Sequence, residues 1–95
     1  MPAYVILTRE RIRDESEMAK YGELAGPSFA GHEFKILSAY GECETVEGAE
    51  VAGAVVLEFP TIEAAKAWYD GPEYSAARKH RHVGADYRAF IVQGT

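Results

Sequence analysis

Apolar and polar residues alternate in four short segments, which is the pattern of β-strands with one buried face. The predicted strands are Ala3–Arg9, Phe34–Tyr40, Ala54–Phe59 and Tyr87–Gln93. Gly41 interrupts the second strand, which residues 42–46 are expected to continue beyond a bulge or turn. Gly48–Gly53 is the expected turn before the third strand, and Pro60 ends that strand because proline cannot donate to a sheet.

A first helix is predicted between the first two strands. Asp14 is its expected N-cap, and Glu17 occupies the capping-box position three residues later. Its expected buried stripe consists of Met18, Tyr21 and either Leu24 or Ala25. Gly26-Pro27 or Gly31 is expected to end the helix.

Two further helical segments are predicted after the third strand. Thr61 is a good N-cap, and Glu63 complements the positive end of the helix dipole. The buried stripe of this helix consists of Ile62, Ala65, Trp68 and Tyr69. Gly71-Pro72 breaks the helix, and Pro72 is suited to the first position of the next one.

The element order βαββαβ is typical of a ferredoxin-like α+β domain. Residues 1–95 are expected to form one such domain, with a four-stranded antiparallel sheet and the helices on one face. The first strand directs Val5 and Leu7 to one face and Tyr4 and Ile6 to the other. Helices of one 95-residue chain cover only one apolar face. The other face is therefore expected to pack on a second copy in a symmetric homodimer.

Charge and cysteine content exclude several classes of protein. The net charge of −5 disfavours nucleic-acid or anionic membrane surfaces as partners. Cys43 is the single cysteine, so an intramolecular disulfide is impossible. Arg9, Glu10 and Arg11 interrupt any hydrophobic core of a signal peptide, and no apolar run is long enough to span a membrane. A cytoplasmic protein is expected.

A long block in the middle of the chain is distinctive: Glu58-Phe-Pro-Thr-Ile-Glu-Ala-Ala-Lys-Ala-Trp-Tyr69. With the opening Ala3-Tyr-Val-Ile, the segment Pro72-Glu-Tyr74 and Arg81, it resembles the domain of unknown function 1330 family of the dimeric α/β-barrel superfamily. The resemblance implies a ferredoxin-like protomer whose sheet pairs with that of a partner to form a barrel. It implies no particular reaction.

The chain departs from this family in two places. His32 lies where members carry a histidine before a Gly-Gly pair, but Glu33-Phe34 follows it here. Ala39-Tyr40 stands where an arginine and a glycine are expected. A ligand contact that the family's arginine makes is therefore not transferred to this chain.

Three residues are candidates for ligand binding. His32 is suited to proton transfer at the mouth of a pocket, or is simply a loop histidine bonded to backbone or solvent. Arg81 is suited to bidentate binding of a carboxylate, or it pairs with Glu58 or Asp86, or its stem lies along apolar surface while its charged end reaches water. Trp68 is suited to stacking on a ligand, or packs in the core. Any pocket is expected between the sheet and the helices, near these three side chains.

No metal or cofactor site is predicted. His80 and His82 are two residues apart in a helix, so they point to different sides. No Gly-rich phosphate loop and no paired cysteine ligands are present. The leading hypothesis is a homodimer that binds a small apolar or aromatic acid. A cofactor-independent monooxygenase or isomerase is the alternative, so the sequence leaves open whether the protein is an enzyme.

Overall fold

The computed structural model describes residues 1–95. Its strands are β1 (Ala3–Ile12), β2 (Lys35–Ala39), β3 (Gly53–Phe59) and β4 (Ala85–Gln93). Its helices are α1 (Glu15–Ala25), α2 (Ile62–Tyr69) and α3 (Pro72–Gly84), with a 3-10 turn over Pro27–Phe29. The strands form one antiparallel sheet in the order β2-β3-β1-β4. The predicted ferredoxin-like α+β architecture is confirmed.

Two strands are longer than predicted because they pair with each other. β1 continues to Ile12, and β4 begins at Ala85, which is the register partner of Ile12. A bulge between Arg9 and Arg11 interrupts this pairing. The alternation of β1 is lost at the bulge, so a period-2 pattern ends the strand too early.

β2 is shorter than predicted. It ends at Ala39, and the expected continuation over residues 42–46 is wrong, because these residues form no strand. Tyr40 turns the chain away from the sheet with a φ of 57°, a left-handed conformation that is uncommon for residues other than glycine.

The cap of α1 differs from the capping box that the sequence suggests. The Asp14 carboxylate accepts hydrogen bonds from the backbone of Ser16 and Glu17, as an N-cap should. The backbone N–H of Asp14 donates to the Gly84 carbonyl at 3.0 Å. The Glu17 side chain therefore does not close a capping box, and it binds Nδ1 of His80 on α3 at 2.6 Å instead.

The caps of α2 and α3 are as predicted. Thr61 Oγ1 accepts from the backbone N–H of Ala64 at 3.0 Å. Gly71 is the N-cap of α3, and Pro72 is its first residue. Trp68 and Tyr74 from these helices are both buried. The caps fix where the two helices begin, and with these starts Trp68 and Tyr74 fall on the buried sides of their helices.

The helices cover one face of the sheet, where the core lies. Val5 is the register partner of Leu57 and Ile91 on this face. The buried apolar residues are Ala3, Val5, Leu7, Tyr21, Leu57, Phe59, Ala65, Trp68, Tyr74, Ala77 and Ala85. On the other face Ile6 lies opposite Val56 and Phe90, and Phe90 is 51% exposed. The predicted division of the apolar residues between two faces is confirmed.

Candidate functional site

A cavity of about 370 Å³ lies between the sheet and α1. Thirteen of its fifteen lining residues are hydrophobic. The lining includes Leu7, Val55 and Leu57 from the sheet, Met18, Tyr21 and Ala25 from α1, and Phe29, Trp68 and Tyr74. A volume of this size falls in the range of small-molecule pockets.

Small residues on α1 leave room for this cavity. Gly22 and Ala25 both line it. A methyl group added at Gly22 would meet no neighbouring atom within 4 Å. The helix therefore lies over the sheet without filling the space between them.

Trp68 forms a rigid part of the cavity wall. Its indole nitrogen donates to Ser28 Oγ at 3.0 Å, and its ring stacks on Phe29 with centroids 4.9 Å apart. The side chain is buried, so the interpretation of Trp68 as a core residue is confirmed. Trp68 is also one of the residues that line the cavity.

The polar groups of the cavity are three tyrosine hydroxyls and one guanidinium. The Tyr21 and Tyr74 hydroxyls lie 2.7 Å apart, and the Tyr40 hydroxyl lies 2.6 Å from that of Tyr87. Burial raises the pKa of Tyr21, of Tyr40 and of Tyr74 above the ordinary value. All three hydroxyls are therefore neutral hydrogen-bonding groups near pH 7.

Arg9 is the one charged residue that lines the cavity. Its guanidinium carbon lies 4.8 Å from the centre of the Tyr40 ring, and the side chain forms no ion pair with any carboxylate of the chain. The sequence did contain a signal for this position. Period 2 places Arg9 on the same face of β1 as Val5 and Leu7, and so beneath the helices.

Arg81 does not line this cavity. It lies in a separate polar depression of about 540 Å³ between α3 and β4. Tyr69 contacts both Arg81, through a hydrogen bond of 3.3 Å, and Trp68, at a ring distance of 6.2 Å. The expected ion-pair partners of Arg81 are wrong, because Glu58 pairs with Lys35 and Asp86 with Arg11.

His32 follows the 3-10 turn, and its backbone N–H donates to the Phe29 carbonyl at 3.0 Å. It lines neither the apolar cavity nor the polar depression. Trp68 and Arg81 therefore both contact Tyr69 but line different cavities, and His32 lines neither. Ligand roles for these three residues stay predictions.

No group of three or more His, Cys, Asp or Glu side chains is arranged to hold a metal ion. None of the helices is long and apolar enough to cross a membrane. Cys43 is free and exposed.

Sheet order and helix placement define a ferredoxin-like α+β protein with one open apolar sheet face. The chain belongs to the DUF1330 family, described as a domain of unknown function, whose sequence pattern it matches over residues 2–95. No curated protein matches this sequence.

Several solved structures share the fold. RPA0582 of Rhodopseudomonas palustris, a protein of unknown function, is 20% identical with a TM-score of 0.75, and the match covers 99% of this chain and 82% of that one. A dimeric ferredoxin-like protein of unknown function from Jannaschia is 14% identical with a TM-score of 0.68, covering 99% and 100% of the two chains. A dimeric protein with a ferredoxin-like fold from Bacteroides fragilis is 17% identical with a TM-score of 0.64, covering 98% and 96%. These likenesses concern the fold alone.

Proposed function

We propose that this protein is a homodimer that binds a small apolar or aromatic acid in the cavity between the sheet and α1. One observation carries the proposal: the lining is mostly hydrophobic, and its single charged group is a guanidinium that has no carboxylate partner. An apolar acid complements both features, because its hydrocarbon part fits the walls and its carboxylate fits Arg9.

The aromatic walls favour a flat ligand. Trp68 packs against the rings of Phe29 and Tyr74 and donates a hydrogen bond to Ser28, so this aromatic part of the wall is rigid. Tyr40 also lines the cavity, and its ring lies against the guanidinium of Arg9, which helps to hold that cation in place. In this arrangement Arg9, rather than Arg81, binds the acid group.

The lining favours binding over catalysis. It contains no carboxylate, histidine or cysteine, and its titratable groups are Arg9 and three tyrosines with raised pKa values. Such groups donate hydrogen bonds at neutral pH but do not serve as general bases. A monooxygenase or isomerase that starts by removing a proton would lack its base here, so binding is the better-supported function.

The homodimer is proposed from the face of the sheet that the helices leave open. Phe90 and Val92 are about half exposed on this face, beside Ile6 and Val56. Similar structures include proteins described as dimeric. Burying such side chains contributes roughly 1.5–3 kcal/mol each, which supports a stable sheet-on-sheet dimer.

Calorimetric titration with benzoate, phenylacetate and naphthoate, each beside its neutral amide, tests the binding site. Arg9→Gln should weaken the acids about 10- to 150-fold, the worth of a charged hydrogen bond, and should change the amides little. The matched control is Arg88→Gln, whose side chain is 79% exposed and lies outside the cavity. Equal losses for acids and amides, or equal losses in both variants, would contradict the proposed role of Arg9.

A further inference from the structure

The polar depression between α3 and β4 contains a cation for which the chain provides no counter-ion. The charged residues that line it are Arg13, Arg81, Arg88, Glu10 and Asp86. Both carboxylates already have other partners. Asp86 binds Nε of Arg11 at 2.6 Å and Nη1 of Arg13 at 3.2 Å, and Glu10 lies 3.5 Å from Nε of Arg88. Arg81 is the lining arginine that remains without a carboxylate.

Arg81 is also the most deeply placed of these arginines. Only 3% of its surface is exposed. Its Nη2 donates to the Tyr69 hydroxyl at 3.3 Å, and its guanidinium carbon lies 4.9 Å from the centre of the Tyr87 ring. Its Nε is buried and has no hydrogen-bond partner. These contacts are with neutral tyrosines and offset only part of the cost of removing a guanidinium from water, so the site favours an added anion.

We propose that Arg81 binds the carboxylate group of a small carboxylic acid in this depression, at a site separate from the apolar cavity. The planar guanidinium offers adjacent N–H donors that match a carboxylate in a bidentate manner. Arg81 is the one cation of the lining without a carboxylate partner, which suits a singly charged anion better than a doubly charged one. Ala85 and Ala89 line the same depression and leave space beside the guanidinium.

His82 provides a reporter for this site, because it lines the depression beside Arg81. Burial lowers the pKa of His82, and the positive charges of Arg81 and Arg78 lower it further. A carboxylate on Arg81 would cancel part of that positive charge. It should therefore raise the pKa of His82, which NMR titration of the imidazole ring measures directly.

The experiment uses acetate and inorganic phosphate as probes, each at low ionic strength. Acetate should saturate at millimolar concentration, shift the His82 signals and raise the pKa of His82 in the wild-type protein. In Arg81→Gln the pKa of His82 should already be higher, and acetate should not change it. Arg81→Lys keeps the positive charge but loses the pair of adjacent N–H donors of the guanidinium. It should therefore bind acetate about tenfold more weakly.

Two control variants separate this site from its surroundings. Arg88→Gln, which removes an exposed arginine from the same depression, should leave acetate binding within about twofold, as expected for a surface charge. Arg9→Gln should leave the acetate-dependent change at His82 as it is in the wild-type protein, even if it abolishes binding of aromatic acids in the cavity, because Arg9 does not line the depression. The two proposals can therefore fail independently.

Three outcomes would overturn the assignment. The first is no acetate-dependent change at His82 in the wild-type protein. The second is an equal loss of acetate binding in Arg88→Gln and Arg81→Gln, which would show that binding depends on the total positive charge of the depression and not on Arg81. The third is phosphate binding as tightly as acetate, which would contradict a site for a carboxylate. Acetate binding that survives in Arg88→Gln and is lost in Arg81→Gln would support it.

Discussion

The hydroxyl groups of Tyr21 on α1 and Tyr74 on α3 form a hydrogen bond of 2.7 Å, and each residue is buried. Their rings meet edge to face with centroids 6.1 Å apart. Both side chains line the apolar cavity. The contact between two helices is therefore also part of the wall of the proposed binding site.

This pair predicts a non-additive double-mutant cycle. Tyr74→Phe leaves the Tyr21 hydroxyl buried without this partner, and Tyr21→Phe does the reverse. Each should lower the free energy of unfolding by about 1–3 kcal/mol, the usual penalty for an unpaired buried group. The double variant should cost much less than the sum, because no hydroxyl then remains unpaired. Urea unfolding at one fixed protein concentration measures all four proteins, and strict additivity would refute the coupling.

The open face of the sheet predicts that Ile6→Asp disrupts the dimer. Ile6 lies opposite Val56 and Phe90, so a carboxylate there would be desolvated between two apolar sheets. The dimer dissociation constant should rise at least about tenfold, given the worth of one buried aliphatic side chain. Light scattering should then detect species near the 10.5 kDa of one chain.

The matched control for this prediction is Val83→Asp. Val83 is exposed on α3, away from the open face of the sheet, so its replacement should leave the dimer intact. A wild-type protein that is monomeric at micromolar concentration would contradict the proposed assembly itself.

The Glu17–His80 pair predicts a loss of stability in acid. The hydrogen bond from His80 is the main reason why the pKa of Glu17 lies below its usual 4.5 in the folded protein. A carboxyl whose pKa is depressed on folding stabilises the protein above its unfolded pKa. That contribution is lost as the pH falls from about 4.5 through the lower folded value. Glu17→Gln should therefore flatten the dependence of stability on pH in this window, and a curve parallel to the wild type would contradict it.

Two glycines that line or flank the cavity predict opposite effects of the same substitution. Gly22→Ala adds a methyl group that meets no atom within 4 Å, so α1 should gain roughly 0.5–1 kcal/mol from helix propensity. Gly53→Ala would place its methyl group 2.9 Å from Cδ1 of Tyr40 and 3.2 Å from Nη2 of Arg9.

The Gly53 variant should therefore lose about 1–3 kcal/mol of stability through overpacking. It should also weaken binding of aromatic acids, because Arg9 and Tyr40 must move. Thermal unfolding and calorimetric titration measure both effects. Equal stability and equal acid binding in the two variants would contradict the role of Gly53 in positioning Arg9.

Local signals in the sequence were sufficient for most elements. Thr61 and Pro72 mark the starts of α2 and α3 because capping and the fixed φ of proline act within a few residues. The alternation of Val5 and Ile6 separates the two faces of β1 because successive side chains of a strand point in opposite directions. For the same reason the sequence alone predicts that one face of the sheet is apolar and not covered by helices.

Tertiary structure decided the polar contacts and the composition of the site. Glu17 binds His80, and Asp86 binds Arg11, across 63 and 75 residues of chain, so no local pattern selects these partners. Those pairings leave Arg81 without a carboxylate, and the register of the sheet places Arg9, not Arg81, in the apolar cavity. The sequence alone determined which faces of the strands are apolar, because the face of a residue follows from its position in the alternation of successive residues. Period 2 also determined that Arg9 lies on the face that the helices cover. Which cation faces which cavity depends on how distant segments pack, so only the folded chain determined it.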